Sequence, residues 1–126
     1  MNQKDKELLL KDISARLPYG LICQIDDGKS GLADGKLIEI DTYYELVKFD
    51  ADYCWVEYIS DIKPYLRPMS SITLEEEREY NLTKTLSIVD YPTLESFDWL
   101  LAHHFDFRGL IEKGIALEAP EGMYNS

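Results

Sequence analysis

The chain has 126 residues, with 24 acidic side chains against 13 basic ones, a formal charge of −11 and a hydrophobic share of 45%. That length and composition fit one globular domain with its own core, and they exclude whole-chain disorder and a scaffold that needs disulfide staples. The charge disfavours direct nucleic-acid binding: the only basic clusters are Lys4 with Lys6 and Lys63 with Arg67, too few to release counterions from a polyphosphate, so the surface suits solubility or a basic partner.

A helix is expected from about Gln3 to Leu17. Leu9, Ile13 and Leu17 recur every four residues, Leu10 widens the stripe, Asn2 can cap the start, and Pro18 with Gly20 ends the run. The period then changes. Leu21 to Ile25 reads as a short strand, Asp26 to Gly31 as a turn, Leu32-Ala33 as a further short strand, and Asp34-Gly35 as a second turn signal. Lys36 to Asp41 and Thr42 to Phe49 read as extended, with Ile38 and Ile40, then Tyr43, Glu45 and Val47, on alternate positions. Asp50 to Asp52 is a tight connection, and Tyr53 to Ile59 is rich in strand-favouring aromatic and branched residues. Four or five strands in about forty residues point to a small curved antiparallel sheet or an SH3-like barrel.

Pro64 and Pro68 bracket Tyr65-Leu66-Arg67 in a segment expected to be extended and outside a central strand, either strapped across the sheet or presented to a partner. Thr73 with Glu76 forms a capping box ahead of a helix from Leu74 to about Leu82 or Leu86. After Tyr91-Pro92, Thr93 caps a second helix, Leu94 to about Phe105, with Phe97, Leu100, Leu101, His104 and Phe105 on one face. Asp106 is placed to cap a short helix through Lys113 that Gly114 ends, Ile115 to Leu117 is a last apolar triplet, and the tail from Ala119 is expected to fray or dock loosely. The fold class is therefore α+β over residues 1–126, a β-rich half at about 20–60 and a helical half at about 72–117 sharing one core.

The strings ELLLKDISARLPYGLIC, DIKPYLRPMSSITLEEE and HHFDFRGLIEKGIALEAPEGMYN resemble a widespread family of small uncharacterised proteins of gut Bacteroidales, often found in prophage and mobile-element settings. The resemblance implies a bacterial cytoplasmic protein encoded by an element that moves between hosts. It implies no activity, cofactor or catalytic residue.

Four sets of residues carry what chemistry the sequence offers. His103, His104 and Asp106 are the candidate metal ligands or acid–base groups, although adjacent residues of a helix point about a hundred degrees apart and the i, i+4 spacing of helical metal sites is missing. The plainer arrangement has His104 hydrogen-bonded on the core face and His103 outside. Cys23 and Cys54 lie in apolar strand patterns without CxxC spacing, so buried, inert thiols are expected rather than nucleophiles. Glu75, Glu76, Glu77 and Glu79 form either an acidic mimic of DNA or an ordinary helix start. Tyr43, Tyr44, Tyr53, Trp55, Tyr58 and Tyr65 are more aromatic surface than a small core requires, so they either fill the core or form a partner-binding face.

No phosphate loop, HExxH or GxSxG motif is present. The charged start, MNQKDKELLL, is unlike a signal peptide, and no apolar run is long enough to span a bilayer. The expectation is a cytoplasmic protein with no cofactor and no membrane or nucleic-acid partner. Its function is expected to be non-enzymatic protein interaction, self-association included, with a small His103–His104–Asp106 enzyme and an acidic DNA-mimic inhibitor as alternatives.

Overall fold

Asn2 and Pro18 set the limits of the first element in the computed structural model, which describes residues 1–26, 28, 31–50, 54–84 and 93–124, with the backbone alone at 54 and 55. Helix α1 (Gln3–Arg16) begins where the Asn2 carboxamide accepts the Asp5 amide at 2.8 Å. It ends in a 3-10 turn, Leu17–Tyr19, closed by Gly20 at φ 73°. Leu9 and Ile13 are fully buried in one cluster with Cys23, Ile25, Leu37, Val47, Phe49, Ile62 and Leu66. Each such aliphatic side chain contributes about 1.5–3 kcal/mol by leaving water.

The strands are β1 (Ile22–Asp26), β2 (Leu32–Asp41), β3 (Leu46–Asp50), β4 (Cys54–Tyr58), β5 (Ile62–Pro68), β6 (Phe105–Asp106) and β7 (Leu117–Glu118). They form one mixed sheet in the order β4-β3-β2-β1-β5-β6, with β7 also on β5. The first four junctions are antiparallel and both short additions to β5 are parallel. The α+β architecture is as expected, with a helix first, a sheet next and helices after it. The sheet is open, so the SH3-like barrel is not formed; β4 at one side and β6 with β7 at the other do not meet.

Three local readings of the sequence are corrected. Asp34-Gly35 is not a turn but the middle of β2, because Gly35 lies where a Cβ would come within 2.9 Å of Phe49 Cβ and 3.2 Å of Ile25 Cδ1. The glycine is a close approach of backbone to core. Thr42 to Glu45 is a turn rather than strand: the Asp41 carboxylate accepts the amides of Tyr43 and Tyr44 at 3.0 and 3.1 Å, and Glu45 adopts φ 55°. The Pro64–Pro68 segment is strand β5, paired with β1 on one side and β6 and β7 on the other. Its prolines are tolerated because each addition on the far side is only two residues long.

The helical half departs in two places. Helix α2 (Leu74–Leu82) has the complete Thr73–Glu76 capping box, and α3 (Leu94–Ala102) has the equivalent Thr93–Ser96 box. However, α3 stops at Ala102 instead of Phe105, because His104 turns the chain at φ 64°. No helix forms over 106–113: Gly109 and Gly114, at φ 74° and 79°, bracket too few residues, and the segment is a series of turns. Its Leu110, Ile115 and Ala116 enter the α1–sheet cluster. The tail is not frayed through Tyr124. Ala119 N–H donates to Leu66 O at 2.8 Å, while the Tyr124 hydroxyl accepts Ile22 N–H at 2.9 Å and donates to Tyr65 O at 2.8 Å.

Candidate functional site

The corner after α3 gathers the most reactive residue types and assigns each a separate partner. His103 stacks on Trp99 with centroids 4.0 Å apart and places Nδ1 2.9 Å from Trp99 O. His104, 7% exposed, faces the other way and stacks on Tyr124 at 3.6 Å. Its Nδ1 has no hydrogen-bond partner among the described residues, where a hydrogen-bonded core histidine was expected. Desolvation, then the charges of Arg16, His103 and Arg67, push its pKa down to about 4. The Asp106 carboxylate accepts the amides of Leu110 at 2.8 Å and Ile111 at 3.0 Å, so both oxygens hold the following turn. His103, His104 and Asp106 do not converge, and no group of three His, Cys, Asp or Glu suited to a metal occurs among the described residues.

Beneath this corner lies a buried ionic cluster that the sequence reading missed. Arg16 and Asp12 are both fully buried. Asp12 accepts Arg16 Nε at 2.7 Å and Arg108 Nη1 at 2.6 Å, while Arg16 Nη2 donates to Phe105 O at 2.7 Å. The signal was present: Asp12 and Arg16 share the helix face of Leu9 and Ile13 at i, i+3, i+4 and i+7. The cluster ties α1 to the chain after α3, a positioning role.

A cleft of about 510 Å³ lies between the end of β5, the start of α2 and the C-terminal segment, lined by Arg67, Ser71, Glu76, Glu118, Glu121 and Tyr124 among others. Arg67 forms a two-pronged pair with Glu76, both contacts at 2.7 Å, and its guanidinium lies 4.2 Å over the Phe105 ring. The arginine and the Thr73 cap hold the Glu76 pKa down to about 2 against the opposing effect of burial. Glu76 of the acidic run is thus engaged within the fold, while Glu75, Glu77 and Glu79 are exposed. The Cys23 thiol is fully buried, and desolvation with the nearby Asp34 charge raises its pKa, so it is not a thiolate nucleophile. The Cys54 side chain lies outside the described residues.

The six candidate aromatics separate. Tyr43 and Tyr44, 84% and 64% exposed, sit on the β2–β3 turn in an edge-to-face pair 4.8 Å apart, and Tyr58, 60% exposed, ends β4. Tyr65 is half-buried on β5, donating its hydroxyl to Asp34 at 2.9 Å. Tyr53 and the Trp55 side chain lie outside the described residues. Register places Val56 (51% exposed) opposite Lys48 and Tyr58 opposite Leu46. Exposed Ile38 falls at the β2 irregularity between Leu37 and Glu39, with Glu39 opposite Lys48. Lys48 reaches Glu39 at 3.6 Å. The surface at the β2–β4 end is therefore an apolar, tyrosine-bearing strip with an internally paired charge. Beside it, β4 has β3 as its one strand partner among the described residues.

No protein-family model, curated protein or solved structure matches the chain. No described helix is long and apolar enough to cross a membrane.

Proposed function

We propose that this chain is a non-enzymatic protein-binding accessory module that docks through the tyrosine-bearing end of its sheet. The observation that carries the reading is the grouping of Tyr43, Tyr44, Tyr58, Val56 and Ile38, all exposed, at one end of the sheet and beside β4, which has one strand partner among the described residues. Tyrosines bury a large area at low rotamer cost and are enriched in the centre of interfaces, whereas an isolated soluble domain rarely concentrates large apolar side chains at one place. The resemblance to small mobile-element proteins of gut Bacteroidales supports an accessory role in a bacterial cell.

The test is photo-cross-linking in the bacterial host from residues placed at position 44 or 58, with position 112, exposed in the turns after α3, as control. Discrete adducts from 44 and 58 and none from 112 are expected. Equal labelling from 112, or none from 44 and 58, contradicts the proposal.

A further inference from the structure

The cleft of about 510 Å³ between the end of β5, the start of α2 and the C-terminal segment falls in the size range of small-molecule sites. Its walls are fastened without any ligand. Ala119 N–H donates to Leu66 O at 2.8 Å and the Tyr124 hydroxyl donates to Tyr65 O at 2.8 Å, so the C-terminal wall is tied to β5 at both ends. The two contacts of Arg67 with Glu76, both at 2.7 Å, tie the start of α2 to the same strand, and the Thr73–Glu76 box fixes that start. A cavity held open in this way loses little freedom when it is filled.

The lining selects the chemistry of the occupant. One arginine and three glutamates contribute to it. Arg67 is committed, since its two terminal nitrogens meet Glu76 and its guanidinium lies 4.2 Å over the Phe105 ring. An anion would have to displace Glu76 from that two-pronged pair. Glu118 and Glu121 are exposed, and their carboxylates have no ion pair or hydrogen bond among the described residues. A bare metal ion is disfavoured, because no group of three His, Cys, Asp or Glu suited to one occurs among the described residues. Pro68, Ala119 and Pro120 add apolar surface against which an aliphatic chain can lie. We infer that this cleft binds a nitrogen cation carried on an aliphatic chain, its charge at Glu118 and Glu121 and its methylenes along Pro68 and Pro120. The site is separate from the tyrosine-bearing end of the sheet and does not rest on the docking proposed there. Two sources present this chemistry: a free linear polyamine and a lysine side chain of a protein partner. Exposed ammonium–carboxylate pairs are individually weak and screened by salt, so affinity is modest and falls between about 0.05 and 0.5 M salt.

Titration of the full chain with spermidine, and separately with an end-blocked trilysine peptide, tests this through backbone amide NMR shifts. A formal charge of −11 draws any cation to the surface. Glu118→Gln/Glu121→Gln is therefore compared with Glu95→Gln/Glu112→Gln, which removes the same charge from exposed positions outside the cleft. The expected result is a saturable shift centred on the amides of 118, 119, 121 and 122, with affinity lowered about fivefold in the first variant and less than about twofold in the second. Saturation by either probe supports the inference, and the tighter probe identifies the source. Shifts spread evenly over the acidic surface, equal losses in the two variants, or no saturable shift with either probe overturn it. The shift map is read on the unaltered protein, so it decides the matter even if a variant misfolds.

Discussion

At the β5 side of the sheet the chain closes over its own edge. Two-residue strands β6 and β7 pair with β5 end to end, Ala119 bonds to Leu66, Arg67 N–H donates to His104 O at 2.7 Å, and Tyr124 fastens the tail to β1 and β5. At the β4 side none of this occurs among the described residues, and the flanking surface holds Tyr43, Tyr44, Val56 and Tyr58 in solvent. One edge is thus finished by segments distant in sequence, whereas β4 has β3 as its one strand partner among the described residues, so contacts remote in sequence fasten the first edge and local hairpin pairing holds the second.

The sharpest way to break that comparison is to remove the ionic cluster behind the closed edge. Asp12→Ala leaves Arg16 buried without its carboxylate and also releases Arg108; a loss of about 3–5 kcal/mol is expected in urea unfolding. Tyr58→Ser at the open edge, by contrast, should shift stability by no more than about 0.5 kcal/mol, since the ring is largely in solvent. Similar costs for the two variants would erase the distinction. Tyr124→Phe comes next. It retains the ring stacked on His104 but removes the hydroxyl that serves Ile22 and Tyr65, at an expected cost of about 1–3 kcal/mol with faster amide exchange at Ile22. An unchanged Ile22 amide would mean that the tail is not a fastening.

A separate effect is set by pH. The folded pKa of His104 lies below that of an ordinary imidazole, so the unfolded chain takes up its proton first as pH falls. The stability His104 contributes is complete above about 6.5 and is lost progressively down to about 4. Glu76, also depressed, contributes above its ordinary value near 4.5 and loses that contribution as pH falls towards about 2. Urea midpoints measured across this range should decline in both windows. His104→Asn, which tolerates the positive φ, should flatten only the upper one, and an unaltered upper slope would contradict the assignment.

What was legible in the sequence was local. The Thr73–Glu76 box and the Asn2 cap each act across three residues, and both form as read, Asn2 accepting the Asp5 amide. Asp34-Gly35 misled because the same glycine serves a turn or a tight approach to Phe49, and only the packed core distinguishes them. Tyr43, Glu45 and Val47 follow a strand-like alternation, yet the Asp41 carboxylate captures the amides of Tyr43 and Tyr44 into a turn. The closed edge was hidden because its contacts are remote: Arg16 meets Phe105 across 89 positions and Ile22 meets Tyr124 across 102. His103, His104 and Asp106 looked like a site because they are adjacent in sequence, but the left-handed turn at His104 directs them to three separate partners.

Amide exchange at Val56 and Arg67 tests the contrast between the edges most directly. The account requires the Arg67 amide, bonded to His104 O, to exchange slowly and the Val56 amide, turned away from β3 by the strand register, to exchange fast in the isolated protein. A Val56 amide as well protected as that of Arg67 would contradict it.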